Sequence, residues 1–546
     1  MTKTLFIFSL LGASAGLNAQ GPTTDAAFRF LSQASWGPTT ASVTALHNTG
    51  PDAKAAFTKY INDQMDPAKT PVSTLGDVTV ADPAKMTPAF GPAQAQYFFN
   101  AVNNPDQLRQ RVAFALSQIW VVSGVKINQV NTFLPYYRIL LNDASKTYYD
   151  VMTDITLNPA MGHYLDMVNN DRMPANSPNS PNENYAREIL QLFTLGTQQL
   201  NEDGTVKLDK KGQPVDAYSQ DVIEGLAHVF TGWTYGPMVK GTPVTRHNPA
   251  NYAVPMEPIE ALHDTAAKLI VSSLGKADPV TGDTVYEKEL AFQGSAAKDL
   301  TSTLTELFHN PNLPPFVCKQ LIQHLVTSNP SGAYVQRVVT VFKNNGKGVR
   351  GDMTAVVEAI LLDVEARAAD SAASTLTGHM QEPVLYIAGM LRSLNVPVSI
   401  TNTLAGNANS MGQNLFFAPT VFNYFAPNYA VPNTGLLGPE FQVYSPSTAM
   451  VRADFVNSLV YGTALKLDTM PFQLAAAKSV GALETLIDTT LLPGTMSSDL
   501  KASIEKVYAS ITPTSKTPAA IAMANKQQAQ AALYLALVAP EYQVQR

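Results

Sequence analysis

Apolar residues recur at helical spacing through most of this chain. Leu108, Val112, Ala115, Leu116, Ile119 and Val122 share one face of a helix opened by Asn104-Pro105-Asp106. The same period predicts helices over 26–31, 40–47, 147–157, 158–165, 219–233, 296–309, 314–327, 331–344, 352–363 and 381–394. Residues 66–95 and 167–180 are rich in Pro, Asp, Asn and Thr and read as loops, and Asn201–Gly204 with Lys211-Gly212 reads as a hairpin or exposed excursion. Only the irregular stretch 236–298 carries β-branched runs, Leu269-Ile270-Val271 and Thr284-Val285-Tyr286. The pattern therefore predicts a mainly α protein: a large multi-helix orthogonal bundle with a few short strands or long loops in the 200–295 region. A main helical domain over 20–365 and a C-terminal helical region over 366–546 packed on it are the expected divisions.

The densest combination of apolar and ionisable residues is Asn182–Gly196. Ser180-Pro181-Asn182-Glu183 fits a capping box with Ser180 as N-cap, and Gly196 is the natural stop. Tyr185, Ile189, Leu192, Phe193 and Leu195 fall on one face, with Glu183 and Arg187 paired i,i+4 on the other. Glu188 lies inside the apolar stripe, with Asn184 at its border. A carboxylate there must be hydrogen-bonded, paired, metal-bound or protonated, because an unpaired buried charge is costly. The simplest role for it is tying this helix to its neighbours.

The chain opens with Lys3, an apolar run from Leu5 to Leu11 and small residues through Ala15 or Ala19, the layout of a secretory signal peptide over 1–19. An exported protein, periplasmic or extracellular, is expected. No later apolar run reaches the ~18 residues needed to cross a bilayer, so no stable membrane insertion is expected after signal removal. A net charge of −6 argues against nucleic acid as the main partner. The one cysteine, Cys318, has apolar neighbours and reads as a buried, inert thiol.

Several motif matches fail on context. Gly12-Ala13-Ser14-Ala15-Gly16 imitates a hydrolase elbow inside the signal peptide, and Gly346–Gly351 imitates a dinucleotide loop between two helices instead of after a strand. None of the eight histidines forms a zinc-binding spacing. Glu224 and His228, at i,i+4, read as a solvated pair. The aromatics of 416–425 read as core packing, with a ligand-facing wall as the alternative. No cofactor is predicted, although a dispersed metal site, or a calcium site at Asn169-Asn170-Asp171, stays open.

The residues that would have to converge for catalysis are Glu188, His263, Asp264 and Asp221, with His163 and Asp166 from the preceding helix. Arg187, Tyr185, Asn184 and Trp233 would line the binding face. In one reading these form a Glu/His/Asp general acid–base site hydrolysing a glycosidic or ester bond. In the other, favoured because no nucleophile, phosphate loop or metal motif is present, they form an internal network in an exported binding or assembly protein.

Arg29–Pro38, Asn182–Gly196, Tyr218–Asp221 leading to Thr231-Gly232-Trp233, His263-Asp264 with Lys268, and Gly412-Gln413 with Phe416 and Pro419 together resemble the large bacterial family catalogued as domain of unknown function 1800. The resemblance covers nearly the whole mature chain. It implies a mainly helical exported protein and, since members are often encoded beside a second family of exported proteins, a protein partner; it implies no activity. One departure stands out: where relatives tend to carry a Trp-His-Asn-His-like string, this chain has Ser117-Gln118-Ile119-Trp120.

Overall fold

The computed structural model describes residues 21–76, 90–174, 180–279, 281–370, 378–401 and 403–546. The expected signal peptide and part of the predicted loops lie outside the described residues. The protein is mainly α, as the periodicity requires. Helix Gln107–Ile119 is central: its residues are buried nearly all round, and helices Thr24–Ala34, Ala53–Met65, Val130–Asp143 and Leu313–Leu325 pack against it. Helix Pro383–Ser393 is buried along its entire length. Near the end of the chain, Pro518–Val538 is the helix on which Pro446–Tyr461, Met470–Lys478, Val480–Leu491 and Ser498–Ser510 assemble. A single apolar cluster joins residues from Ala26 to Tyr542.

Local sequence chemistry sets many of the helix starts. The side chains of Thr39, Thr147, Asn158, Ser219 and Ser295 each accept a backbone N–H at their helix N-terminus. Among the described residues the strands form three two-stranded antiparallel pairs. The longest joins Lys268–Ala277 to Thr284–Leu290, with Lys268 opposite Leu290 and an irregularity between Val271 and Lys276. Helix Gln220–Val229 lies directly on this hairpin, because Gly225 has no Cβ to meet the Leu269 carbonyl oxygen, which would stand 1.8 Å away. A shorter pair joins His379–Met380 to Val544–Gln545, drawing the end of the chain back beside the central helix.

Three expectations need correction. The Ser180 capping box does not form: the helix begins at Asn184, with Glu183 at its N-cap and no side-chain cap. Asn182 instead exchanges hydrogen bonds with the Asn170 side chain and turns its own Oδ1 onto the Asn184 N–H at 2.9 Å, an Asx-type turn that competes with helix. Asp106 stands at the N-cap of the central helix without capping it, since its carboxylate accepts from the Ser73 N–H and hydroxyl and from Gln110. The loop expected over 66–95 gives way to helix Gly91–Asn103, whose Pro92 occupies the first turn.

Candidate functional site

The Asn182–Gly196 segment is two kinds of helix joined at Glu188. Asn184–Glu188 is α-helical, Ile189–Thr194 is π-helical, and Gly196 ends it at φ +75°. The Thr194 hydroxyl donates to the Ile189 carbonyl, within the wide turn. Such turns occur often at functional sites, where the extra residue re-aims the side chains around it. Arg187 pairs with Glu183 at 2.8 Å on the outer face, and Gln220 donates to the same Glu183 oxygen. Tyr185 is buried, donates to Thr156 at 2.7 Å and meets the Phe230 ring edge-on.

Glu188 is buried, and its Oε2 has no hydrogen-bond partner. Burial pushes its carboxyl above the ordinary value, against a weaker pull from Arg187. The Tyr164 and Tyr218 phenols are raised as well, first by burial and then by the Glu188 charge. Asn184 donates to Asp166 at 3.0 Å, and Asp166 pairs with Lys126 at 2.6 Å. Trp233 is buried in a two-residue strand.

The other candidates belong to separate networks. His263 is fully enclosed: its Nδ1 lies 2.9 Å from the Thr231 carbonyl oxygen and its Nε2 3.1 Å from Asp299 Oδ2. The Lys268 ammonium reaches that same oxygen at 2.8 Å, and the Gln293 N–H reaches Oδ1 at 2.7 Å. Burial drives the Asp299 carboxyl up, but the hydrogen bonds from Lys268, Gln293 and His263 outweigh it and hold the carboxyl below its ordinary value. Asp264 turns away from this group and pairs with His228 at 2.6 Å, so the nearest partner of His228 is not Glu224. Asp221 is exposed on the first turn of helix Gln220–Val229. His163 faces the Tyr235 hydroxyl at 3.2 Å.

The Asn169-Asn170-Asp171 oxygens are also engaged: Asn169 accepts from Thr234, Asn170 clamps Asn182, and Asp171 pairs with Arg246 and His247. Among the described residues no three His, Cys, Asp or Glu side chains are grouped to hold a metal ion. Cys318 is buried, which raises its thiol.

Sequence reasoning missed a second group, built on the central helix. Glu382 is buried and accepts hydrogen bonds from Gln118 at 2.9 Å and from Gln413; the Gln118 oxygen in turn accepts from Asn423 at 2.7 Å. Burial raises the Glu382 carboxyl to about 7, with the nearby Glu440 charge adding to the rise and the two glutamines opposing it. Glu440 pairs with His379 at 3.0 Å, leaving Glu440 Oε2 and His379 Nε2 buried without partners. His324, half-buried on the same side, is lowered to about 3 by desolvation and by the neighbouring His379 and Arg111. A recess of about 320 Å³ is lined by Gln118, Gln323, His324, Asn423 and Glu440 among others. The Ser117–Trp120 departure and the Gly412-Gln413 motif both fall on this group, and together they are the sequence signals that point to it.

A family model described as "Protein of unknown function (DUF1800)" matches residues 29–544. No curated protein and no solved structure matches the chain.

Proposed function

The chain belongs to the DUF1800 family, and we propose that it is an exported binding or assembly protein of the cell envelope that acts with a protein partner. One observation carries the reading: on either side of Thr231 the His263 side chain is taken up by Asp299 and the Asp264 side chain by His228, leaving Glu188 without an acid–base partner from that set. Networks whose polar groups are paired fix packing instead of turning over a substrate. Exposed apolar side chains that a partner could cover include Met470 and Leu474, one turn apart on helix Met470–Lys478, and Met523 on helix Pro518–Val538, which packs against it. Apolar, methionine-bearing surfaces of this kind suit protein contacts.

Cross-linking in the native envelope tests this, using wild type and a Leu474→Asp/Met523→Asp double variant. One polypeptide captured by wild type and lost from the folded variant is expected. Equal capture by both, or none by either, overturns the reading.

A second reading, a secreted hydrolase of glycosidic or ester bonds, is favoured by Glu188 alone. Its raised carboxyl beside Tyr164 and Tyr218 at an α-to-π junction is suited to general acid work. Hydrolysis of polysaccharide or ester substrates by wild type, abolished in a folded Glu188→Gln variant, is the result that would favour it.

A further inference from the structure

A cleft lined by none of these residues lies between helix Thr24–Ala34, helix Pro383–Ser393, the turn after helix Val480–Leu491, and the last residues of the chain. It encloses about 660 Å³, part of it open to solvent. Phe28, Trp36, Leu385, Leu491, Leu492 and Tyr542 supply the apolar part of its walls, and the rest is polar.

The polar atoms in the walls are one-sided. Arg29 Nε, Trp36 Nε1 and Arg546 Nε are buried N–H donors without a hydrogen-bond partner, and all three residues line the cleft. Arg29 and Trp36 are each more than nine-tenths buried. Asp370 Oδ1 comes within 3.3 Å of Arg29 Nε, but outside hydrogen-bond geometry, and that oxygen is itself without a hydrogen bond. No side-chain acceptor among the lining residues is buried and unpartnered. Unmade hydrogen bonds at buried groups cost roughly 1–3 kcal/mol each, so a molecule that supplies acceptors gains what the empty site forfeits. A guanidinium donates best to an oxyanion. Asp25 and Glu541 in the lining, with Asp370 beside Arg29, offset the two guanidinium charges, so selection of an oxyanion rests on the unfilled N–H donors and not on net charge.

We propose that this cleft binds an amphipathic anion, with a carboxylate or phosphate-monoester head on Arg29, Arg546 and the Trp36 indole N–H and an apolar chain along Phe28, Leu385 and Leu491. The proposal goes beyond the protein-partner reading and holds whether or not that partner exists.

Isothermal titration of the full mature chain with decanoate, decyl phosphate and decanol tests it. Binding of at least one anion and at least tenfold weaker binding of decanol are expected, and which anion binds more tightly identifies the head group. Arg29→Gln should weaken the anion at least tenfold. Ser32→Phe fills the cleft and leaves both guanidinium groups in place, so it should abolish binding. Should Arg29→Gln fail to fold, the Ser32→Phe and decanol comparisons decide. Absence of binding by both anions, equal binding of decanol, or unchanged binding by folded Ser32→Phe overturns the proposal.

Discussion

Replacing Lys268 by Met removes the ammonium that reaches Asp299 inside the protein. The Lys268 and Asp299 side chains are essentially inaccessible, and their charged atoms lie 2.8 Å apart. What remains is a buried carboxylate held by the His263 ring and the Gln293 N–H. Breaking a buried pair from one side costs about 3–5 kcal/mol, because the surviving charge is left uncompensated. At about 1.4 kcal/mol per tenfold, hydrogen exchange in strand Lys268–Ala277 and helix Ala296–His309 should accelerate by roughly two to three and a half orders of magnitude.

Lys268→Met/Asp299→Leu removes both charges and should recover much of that loss. The pH arm has a definite sign. Asp299 is held below its ordinary value, so its contribution is present above the unfolded value, roughly pH 4, and is lost as the pH falls through the folded one. Exchange measured by mass spectrometry on peptides of the hairpin is the assay. A change under tenfold in Lys268→Met, or a double variant no more protected than the single one, would refute the assignment of His263, Asp299 and Lys268 to a structural triad.

Glu382 should give the opposite pH sign: with its carboxyl raised to about 7, its contribution is full below about pH 4.5 and is lost as the pH climbs through 7. The swing is about 3 kcal/mol. Melting temperature followed from pH 5 to 8 should fall in wild type and fall much less in Glu382→Met; equal slopes would assign the titration elsewhere. Glu188 is raised in the same direction, so Glu188→Gln should melt higher than wild type at pH 8 and lose that advantage near pH 4, and a variant less stable at both pH values would count against a strained carboxylate. Gly225→Ala would push a methyl group into the Leu269 carbonyl. Backbone cannot move aside as a side chain does, so urea unfolding should register a loss at or beyond the upper end of the usual ~1–3 kcal/mol for overpacking; a loss under ~1 kcal/mol would mean that the helix slides easily over the hairpin.

How far the chain could be read without coordinates depended on the range of the interaction concerned. Helices announced by a local cap and a 3.6-residue apolar period, such as Gln220–Val229 behind Ser219 and Ala296–His309 behind Ser295, were legible. Helix Gly91–Asn103 was hidden because Gly91 and Pro92 resemble loop punctuation, although proline is at home in a first helical turn. Val130–Asp143 carries Pro135 in its interior, which a local rule reads as a break. The false start at Ser180 arose from the reverse effect. The 180–183 string satisfies the capping rule, but a contact 12 residues away, between Asn170 and Asn182, holds the backbone in a different conformation.

The polar residues show the same limit more sharply, because adjacent positions can serve unrelated networks. His263 turns inward to Asp299 and Asp264 turns to His228, and no period along 257–268 distinguishes the two directions. Gln118, Glu382, Gln413 and Asn423 are brought together from positions as much as 305 residues apart, a distance no spacing rule spans. Glu188 is the exception, since its place within an apolar stripe was readable from helical geometry alone. The sequence required such a carboxylate to be bonded, paired, metal-bound or protonated. The fold leaves one of its oxygens buried without a hydrogen bond, and burial raises the carboxyl against the weaker pull of Arg187, whose guanidinium pairs with Glu183. Of the four outcomes, these observations favour a group drawn toward protonation.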